Sequence, residues 1–396
     1  MTPKPAAPAA PATPAAPVAS VRPVVPATSV DPDGPAGPAW PAPLFAVDPL
    51  VMEASGGRIV VSSPRLSKRL RVVPPVAAML LAARAGIDPA EYPAGAVDKL
   101  VEAGFLLAER QASGAPVPWD GWGTTAWSFH NRNRDTPFVV ADAGQVATYR
   151  ERISARPRPS SVRPPCSDRV LLLPRVRTAL DLPYRDVLER RRTHRSFVDA
   201  PVELDMFSDM LHYCFAPLRF ADAGEMGVLQ LRANASAGAR HETEAFVLVL
   251  NVSNVDPGLY HYDNIRHGLE LIRPDVGRDH AEHLTHGQGF FRTAAFGVLT
   301  AAVADRMSWK YPHPRAYKML LHNVGHVAQV FSMTATALGL GAALTGAIRD
   351  SEADALLGLD QPREFTTFAL ACGHPERGTD GMPASVRVAR AAPGRN

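Results

Sequence analysis

Four short stretches combine residue types able to hold an anion, lie against a flat ligand or move a proton. Residues 190–197 read Arg-Arg-Arg-Thr-His-Arg-Ser-Phe. Arg191, Thr193 and Arg195 stand at alternate positions, so a chain extended beyond a helix end turns their donors to one side, a forked cradle for a phosphate. A solvated basic helix end accounts for the same run without a ligand. Residues 234–241 read Asn-Ala-Ser-Ala-Gly-Ala-Arg-His. The small residues around Gly238 let backbone approach a planar group, and Ser236, Arg240 and His241 supply polar contacts; an ordinary loop is the competing account. In Trp309–Tyr317, Lys310 and Tyr311 are adjacent proton carriers stiffened by Pro312 and Pro314. Both side chains ordinarily titrate near ~10, so work near neutrality requires burial or a charged neighbour. A surface lysine beside a packing tyrosine is the alternative there. Residues 338–347 are glycine-rich, but Leu344 stands where a dinucleotide fingerprint needs its third glycine, and the stretch follows a helix. It is expected to be a loop aiming the amides of Thr345 and Gly346 at a ligand heteroatom.

Histidine and cysteine spacing argues against a metal. His322 and His326 are four apart, but Asn323 occupies the position where a metalloprotease helix needs glutamate. His280, His283 and His286 recur every three residues and fan out across a helix. No Gly-x-Ser-x-Gly elbow supports a serine hydrolase. Cys166, Cys214 and Cys372 are too scattered for a disulfide framework or a close-spaced metal motif, and suit a reducing cytoplasm. A net charge of +3, from 42 basic against 39 acidic residues, lacks the concentrated basic field that nucleic acid binding demands. No apolar run reaches the ~20 residues of a membrane span, and the N-terminus has no apolar signal core.

These stretches need elements to hold them. Residues 1–44 carry 13 of the chain's 38 prolines and read as a disordered Pro/Ala tail. Residues 45–110 show strand signals, helices at 76–85 and 94–103, and a strand at 105–108, the pattern of a small winged-helix-like module. Its second helix offers only Lys99 to a phosphate, which favours docking of peptide or protein over DNA. Residues 111–182, with Trp119, Trp122 and Trp127, read as an aromatic-containing connector. Residues 183–396 form the main domain: helices at 185–194, 205–215 and 316–338, strands at 244–251, 295–302 and 365–371, and a hairpin from 259–262 to 268–272. That order indicates an α+β domain with a mixed, mainly antiparallel sheet flanked by helices.

Taken in sequence order, Glu189–Phe197, Ser236–Asn251, Pro257–Tyr262 and Trp309–Gly373 resemble the SagB-type azoline dehydrogenases of the FMN-dependent nitroreductase superfamily. The similarity covers roughly residues 44–375, and the N-terminal module resembles the peptide-recognition element attached to such enzymes. The resemblance implies a nitroreductase-like fold and a homodimer or heterodimer with FMN at the subunit interface. It implies Arg191, Thr193 and Arg195 on the FMN phosphate and ribityl chain, Ser236 and Gly238 lining the cofactor, and Thr345 and Gly346 near the flavin ring. Lys310 and Tyr311 match the family's Lys-Tyr pair, associated with azoline oxidation; His326 and Gln329 are weaker lining candidates. The implied substrate is a modified precursor peptide whose thiazoline or oxazoline rings become azoles, with a cyclodehydratase as candidate partner. Two departures stand out: Ala235 replaces the usual proline, and Ala239 stands where simpler nitroreductases often have asparagine. Two other functions compete, an NAD(P)H-dependent nitro- or quinone reductase and a flavin-free scaffold presenting a peptide to partner enzymes.

Overall fold

The computed structural model describes residues 40–134, 136, 138–139, 143–175, 178–224, 227–378 and 381–384, with residues 20–21 and 28–29 nearer the N-terminus. The expectation for the Pro/Ala tail thus falls almost wholly outside the described residues. The chain forms two compact units, 1–151 and 152–396.

The first unit contains β1 (Ser20–Val21), β2 (Thr28–Ser29), β3 (Phe45–Ala46), β4 (Val51–Ser55), β5 (Arg58–Ser62), β6 (Arg69–Val72), α1 (Pro74–Ala82), α2 (Ala94–Glu102), β7 (Leu106–Leu107), α3 (Gly123–Arg132) and β8 (Phe138–Val139), and α4 (Ala143–Ser154) leads out of it. Prolines at the first two positions of α1 start it, since their missing N–H groups have no helical partner to lose. Gly104, at φ +81°, follows the end of α2. The strands pair in the order β2-β6-β5-β4 and β3-β7. Leu44, Val61, Leu70, Leu80, Leu100 and Phe105 form the core of this unit.

The second unit contains β9 (Val170–Leu172), α5 (Tyr184–Arg190), β10 (Phe197–Val198), α6 (Leu204–Phe215), β11 (Arg219–Asp222), β12 (Val228–Leu231), β13 (Thr243–Val249), β14 (Gly258–Asp263), β15 (Gly268–Arg273), α7 (Arg278–Leu284), α8 (Phe290–Thr293), β16 (Phe296–Val303), α9 (Ala304–Lys310), α10 (Arg315–Ala337), β17 (Gly341–Thr345), α11 (Asp350–Leu357) and β18 (Glu364–Pro375). The main sheet runs β10-β18-β16-β13-β14-β15-β9, with β17 also on β18, and all of these pairings are antiparallel. β9 comes from the stretch expected to be a connector. β13 is buried along its whole length because both faces are covered. Ala245, Val247 and Val249 face α6 and α10 with Phe207, Phe296 and Phe331. Phe246 and Leu248 face α7, α8 and α11 with Phe291 and Leu357. Two helical layers therefore enclose one sheet, as the order of elements led us to expect.

Candidate active site

Lys310 is the last residue of α9 and Tyr311 is its C-cap, at φ −122° and ψ 75°. Pro312 disfavours helical geometry at the residue before it, so the helix stops there and presents both side chains at its end. Facing them is a single 3-10 turn, Ala237–Ala239, in which Gly238 adopts φ +63°. A Cβ on Gly238 would lie 2.6 Å from Lys310 Nζ and 2.6 Å from Tyr311 Oη, so glycine is what allows this approach. Tyr311 and Ala237 both pack on the cluster of Ala302, Met307, Leu320 and Val324. Burial pushes the Lys310 ammonium below its ordinary range, and the positive charge of Arg240 adds to the effect. Burial pushes the Tyr311 phenol up, with Arg240 opposing. The lysine thus gives up its proton more readily than an ordinary lysine, and the tyrosine holds its phenol proton more tightly.

The turn is held by a buried polar lattice. Ala237 N–H donates to Asn323 Oδ1 at 3.2 Å, and Asn323 Nδ2 donates to Glu242 Oε1 at 2.9 Å. His241 N–H donates to Ser236 Oγ at 3.0 Å, so the Ser236 hydroxyl closes the loop on itself. Arg240 Nε donates to Gly238 O at 2.9 Å, and its guanidinium lies 5.4 Å from the centre of the Trp309 ring. Burial, reinforced by the charge of Arg232, brings the His241 imidazole down to about 3, leaving it neutral. Ala239 and His241 also adopt left-handed φ, of +51° and +42°. Such non-glycine strain concentrates where surrounding structure over-determines the backbone, often at functional sites.

The arginine run departs from expectation in one respect. The helix expected over 185–194 ends at Arg190, because Thr193 leaves it to bridge Ala342 and His194 N–H donates to Ala342 O at 2.9 Å. The chain beyond the helix is therefore held against a strand, with Arg191 half-buried and Arg195 exposed. Among the described residues, no carboxylate pairs with either guanidinium. The neighbouring His194 imidazole is brought down to about 4 by burial and then by the charges of Arg377 and Arg192.

The glycine-rich stretch is corrected from loop to strand. Residues 341–345 form β17 because Gly341 permits close packing: a Cβ there would lie 2.8 Å from Pro375 and 3.0 Å from His194. Thr345 Oγ1 accepts from Gln288 Nε2 at 2.9 Å and from Ala347 N–H at 3.1 Å. Gly346 is exposed, with the Phe368 ring 3.3 Å from its would-be Cβ. Phe368 also packs on the cluster that holds Tyr311, joining the end of β17 to the Lys-Tyr neighbourhood. Of the weaker candidates, His326 is exposed and meets Ala235 O at 3.0 Å, and Gln329 is exposed.

Sequence reasoning missed two groups. Asn323, noticed only as the wrong residue for a metalloprotease, anchors the turn. Glu244, His261, Glu270 and Arg306 form a buried charged chain across β13, β14, β15 and α9. A glutamate at the start of the apolar run of β13 was the available signal.

The profile of the Nitroreductase family matches residues 188–374. Over 194 residues the chain is 31% identical to a Methanocaldococcus jannaschii protein named as a nitroreductase, a match spanning 49% of this chain and 91% of that protein. Over 165 residues it is 26% identical to the trifolitoxin-processing protein TfxB of Rhizobium leguminosarum bv. trifolii, covering 40% of this chain and 44% of TfxB. The trifolitoxin operon protein TfxC of the same organism matches at 23% over 273 residues, 65% of this chain and 75% of TfxC. With its helix-enclosed antiparallel sheet of nitroreductase type, the chain belongs to the nitroreductase family of oxidoreductases.

Proposed function

We propose that this protein is an FMN-dependent dehydrogenase that oxidises thiazoline or oxazoline rings in a ribosomally made peptide to thiazoles or oxazoles. The observation that carries the reading is the convergence of Lys310 Nζ and Tyr311 Oη on side-chain-free Gly238. Similarity to TfxB and TfxC, the first named for trifolitoxin processing, supports a peptide as substrate.

The residues fit the cofactor. Arg191 and Arg195 flank Thr193 with no carboxylate partner among the described residues, which suits a phosphate; exposed Gly346 offers an amide just past the end of β17. FMN, when bound, accepts the hydride lost from one ring carbon. Lys310, more readily deprotonated than an ordinary lysine, takes the proton from the adjacent ring carbon, and Tyr311, whose phenol proton is held more tightly, donates a hydrogen bond that orients the ring. Arg240 keeps a positive charge next to the lysine, which discourages its protonation before the reaction. The first unit, with its two helices and short strands, serves as a winged-helix-like element that docks the precursor peptide, and the enzyme works as a homodimer in the cytoplasm beside a cyclodehydratase.

The decisive experiment replaces Lys310 with Ala and Tyr311 with Phe together. The double variant should remain yellow and release FMN on denaturation while losing the ability to remove two hydrogens from an azoline peptide, followed by mass spectrometry. Normal aromatisation by that variant refutes the assignment. A colourless wild-type protein that still binds the leader peptide would instead indicate a scaffold.

A further inference from the structure

A second cluster lies behind the Gly238 turn and shares Arg306 with it, since Arg306 Nη1 donates to His241 O at 3.1 Å while its other terminal nitrogen pairs with Glu244. Cys166 precedes His261 by 95 residues and Glu270 follows it by 9, yet one ligand atom from each lies within 4.8 Å of the others. Cys166 Sγ is 3.1 Å from Glu270 Oε2, and His261 Nδ1 is 3.0 Å from the same oxygen. His261 and Glu270 are 3% and 1% exposed, whereas Cys166 is exposed, so the cluster opens to solvent only on the thiol side.

The surroundings of these three atoms are those of a metal-ligand set. The back nitrogen of His261, Nε2, is 3.2 Å from the buried carboxylate of Glu244, and Glu244 is itself fixed by Arg306 Nη2 at 2.5 Å. A carboxylate behind a histidine, fixing its tautomer and ring orientation, is the usual second layer of a metal site. The other oxygen of Glu270, Oε1, is bound by Arg266, which turns Oε2 alone toward Cys166 and His261. One sulfur, one imidazole nitrogen and one carboxylate oxygen match the preferences of a borderline-soft tetrahedral ion, with solvent at the exposed thiol to supply a fourth ligand.

We propose that Cys166, His261 and Glu270 form a binding site for a zinc-type divalent cation, with Glu244 as the positioning residue behind His261. Binding forms M–S, M–N and M–O bonds, displaces the thiol proton of Cys166 and any proton on His261 Nδ1 to solvent, and changes no oxidation state. The His261–Glu244 hydrogen bond then runs from Nε2–H to the carboxylate.

The test uses the full chain, reduced and stripped of metal, titrated with Zn2+ alone by calorimetry and with Co2+ by absorption. One equivalent should bind per chain, and Co2+ should give a thiolate-to-metal charge-transfer band. Cys166→Ala, at an exposed position, should abolish the band and weaken Zn2+ binding at least ~100-fold, since even outer-layer changes cost ~10–100-fold. Glu244→Gln should weaken binding with the band retained, and circular dichroism checks that each variant is folded. Absence of the band in the wild type, or a Zn2+ affinity in Cys166→Ala within threefold of wild type, overturns the proposal and assigns the binding to surface histidines such as His322 and His326.

Discussion

Replacing Gly238 with alanine perturbs the site at one atom. Two effects follow, and the structure separates them. The first is backbone strain: at φ +63° an L-residue costs about 1–2 kcal/mol. For a unit of roughly this size each kcal/mol lowers Tm by about 2–4 °C, so a fall of about 2–8 °C is expected. The second is a clash. The new methyl would sit 2.6 Å from Lys310 Nζ and Tyr311 Oη and 2.9 Å from Lys310 Cδ, and ordinary contact begins near ~3.5 Å. The pair must retreat by about 1 Å, a misplacement worth about 100-fold in rate, or ~2.7 kcal/mol of barrier. Gly358 provides the control, because it shares φ +63°, lies at the end of α11 and has nothing within 4 Å of its would-be Cβ. Gly358→Ala should reproduce the loss of Tm with unchanged turnover, and Gly238→Ala should lose turnover as well. Rates are read from the conversion of azoline to azole in a model peptide, alongside FMN content and thermal melts. If Gly238→Ala turns over within about threefold of wild type, or if Gly358→Ala loses as much as Gly238→Ala, the close approach is not what organises the Lys-Tyr pair.

Arg191→Ala and Arg195→Ala should each weaken FMN retention about 10–100-fold, from loss of a charge-assisted hydrogen bond worth ~1.5–3 kcal/mol, as read by flavin fluorescence titration; unchanged retention in both refutes the phosphate assignment. Arg306→Met leaves the buried Glu244 carboxylate with only the His261 imidazole beside it and should destabilise the fold by about 3–5 kcal/mol in urea unfolding. Acid should destabilise the protein through His194 and His241, whose folded values of about 4 and about 3 lie below the ordinary 6.5. Between pH 6.5 and those values the unfolded chain binds protons that the native one refuses, so stability falls as pH drops through that window; a urea midpoint that is flat across it contradicts the buried neutral state. The turnover profile should rise on a basic group titrating below the ordinary lysine range, and that limb should disappear in Lys310→Met.

Much of the second unit could be read from residue patterns alone. The continuous apolar run that became β13 announced a strand covered on both faces, and the apolar spacing from Ala316 to Leu338 matches α10 almost residue for residue. Misreadings arose where long-range pairing overrode local preference. Residues 191–194 suit a helix, but a backbone bond from His194 to Ala342, some 150 positions away, decides otherwise. Glycines at 339, 341 and 346 suggested a loop; Gly341 instead makes room for β17 against Pro375 and His194. The contact of Gly238 with Lys310 and Tyr311 was equally invisible, since about 70 residues separate them. Nor could spacing reveal the Cys166–His261–Glu270 group, which exists only because antiparallel pairing sets His261 opposite Glu270.

The twelve residues of β18 carry β16 along one edge and β17 with β10 along the other. During synthesis this strand leaves the ribosome after every element it joins. Until it arrives, β16 keeps an open row of amide and carbonyl groups, and β17 and the arginine-bearing segment have no sheet to lean on. Assembly of the second unit's sheet is therefore a late event, and the emerging chain is most vulnerable to aggregation or a holding chaperone just before residues 364–375 appear.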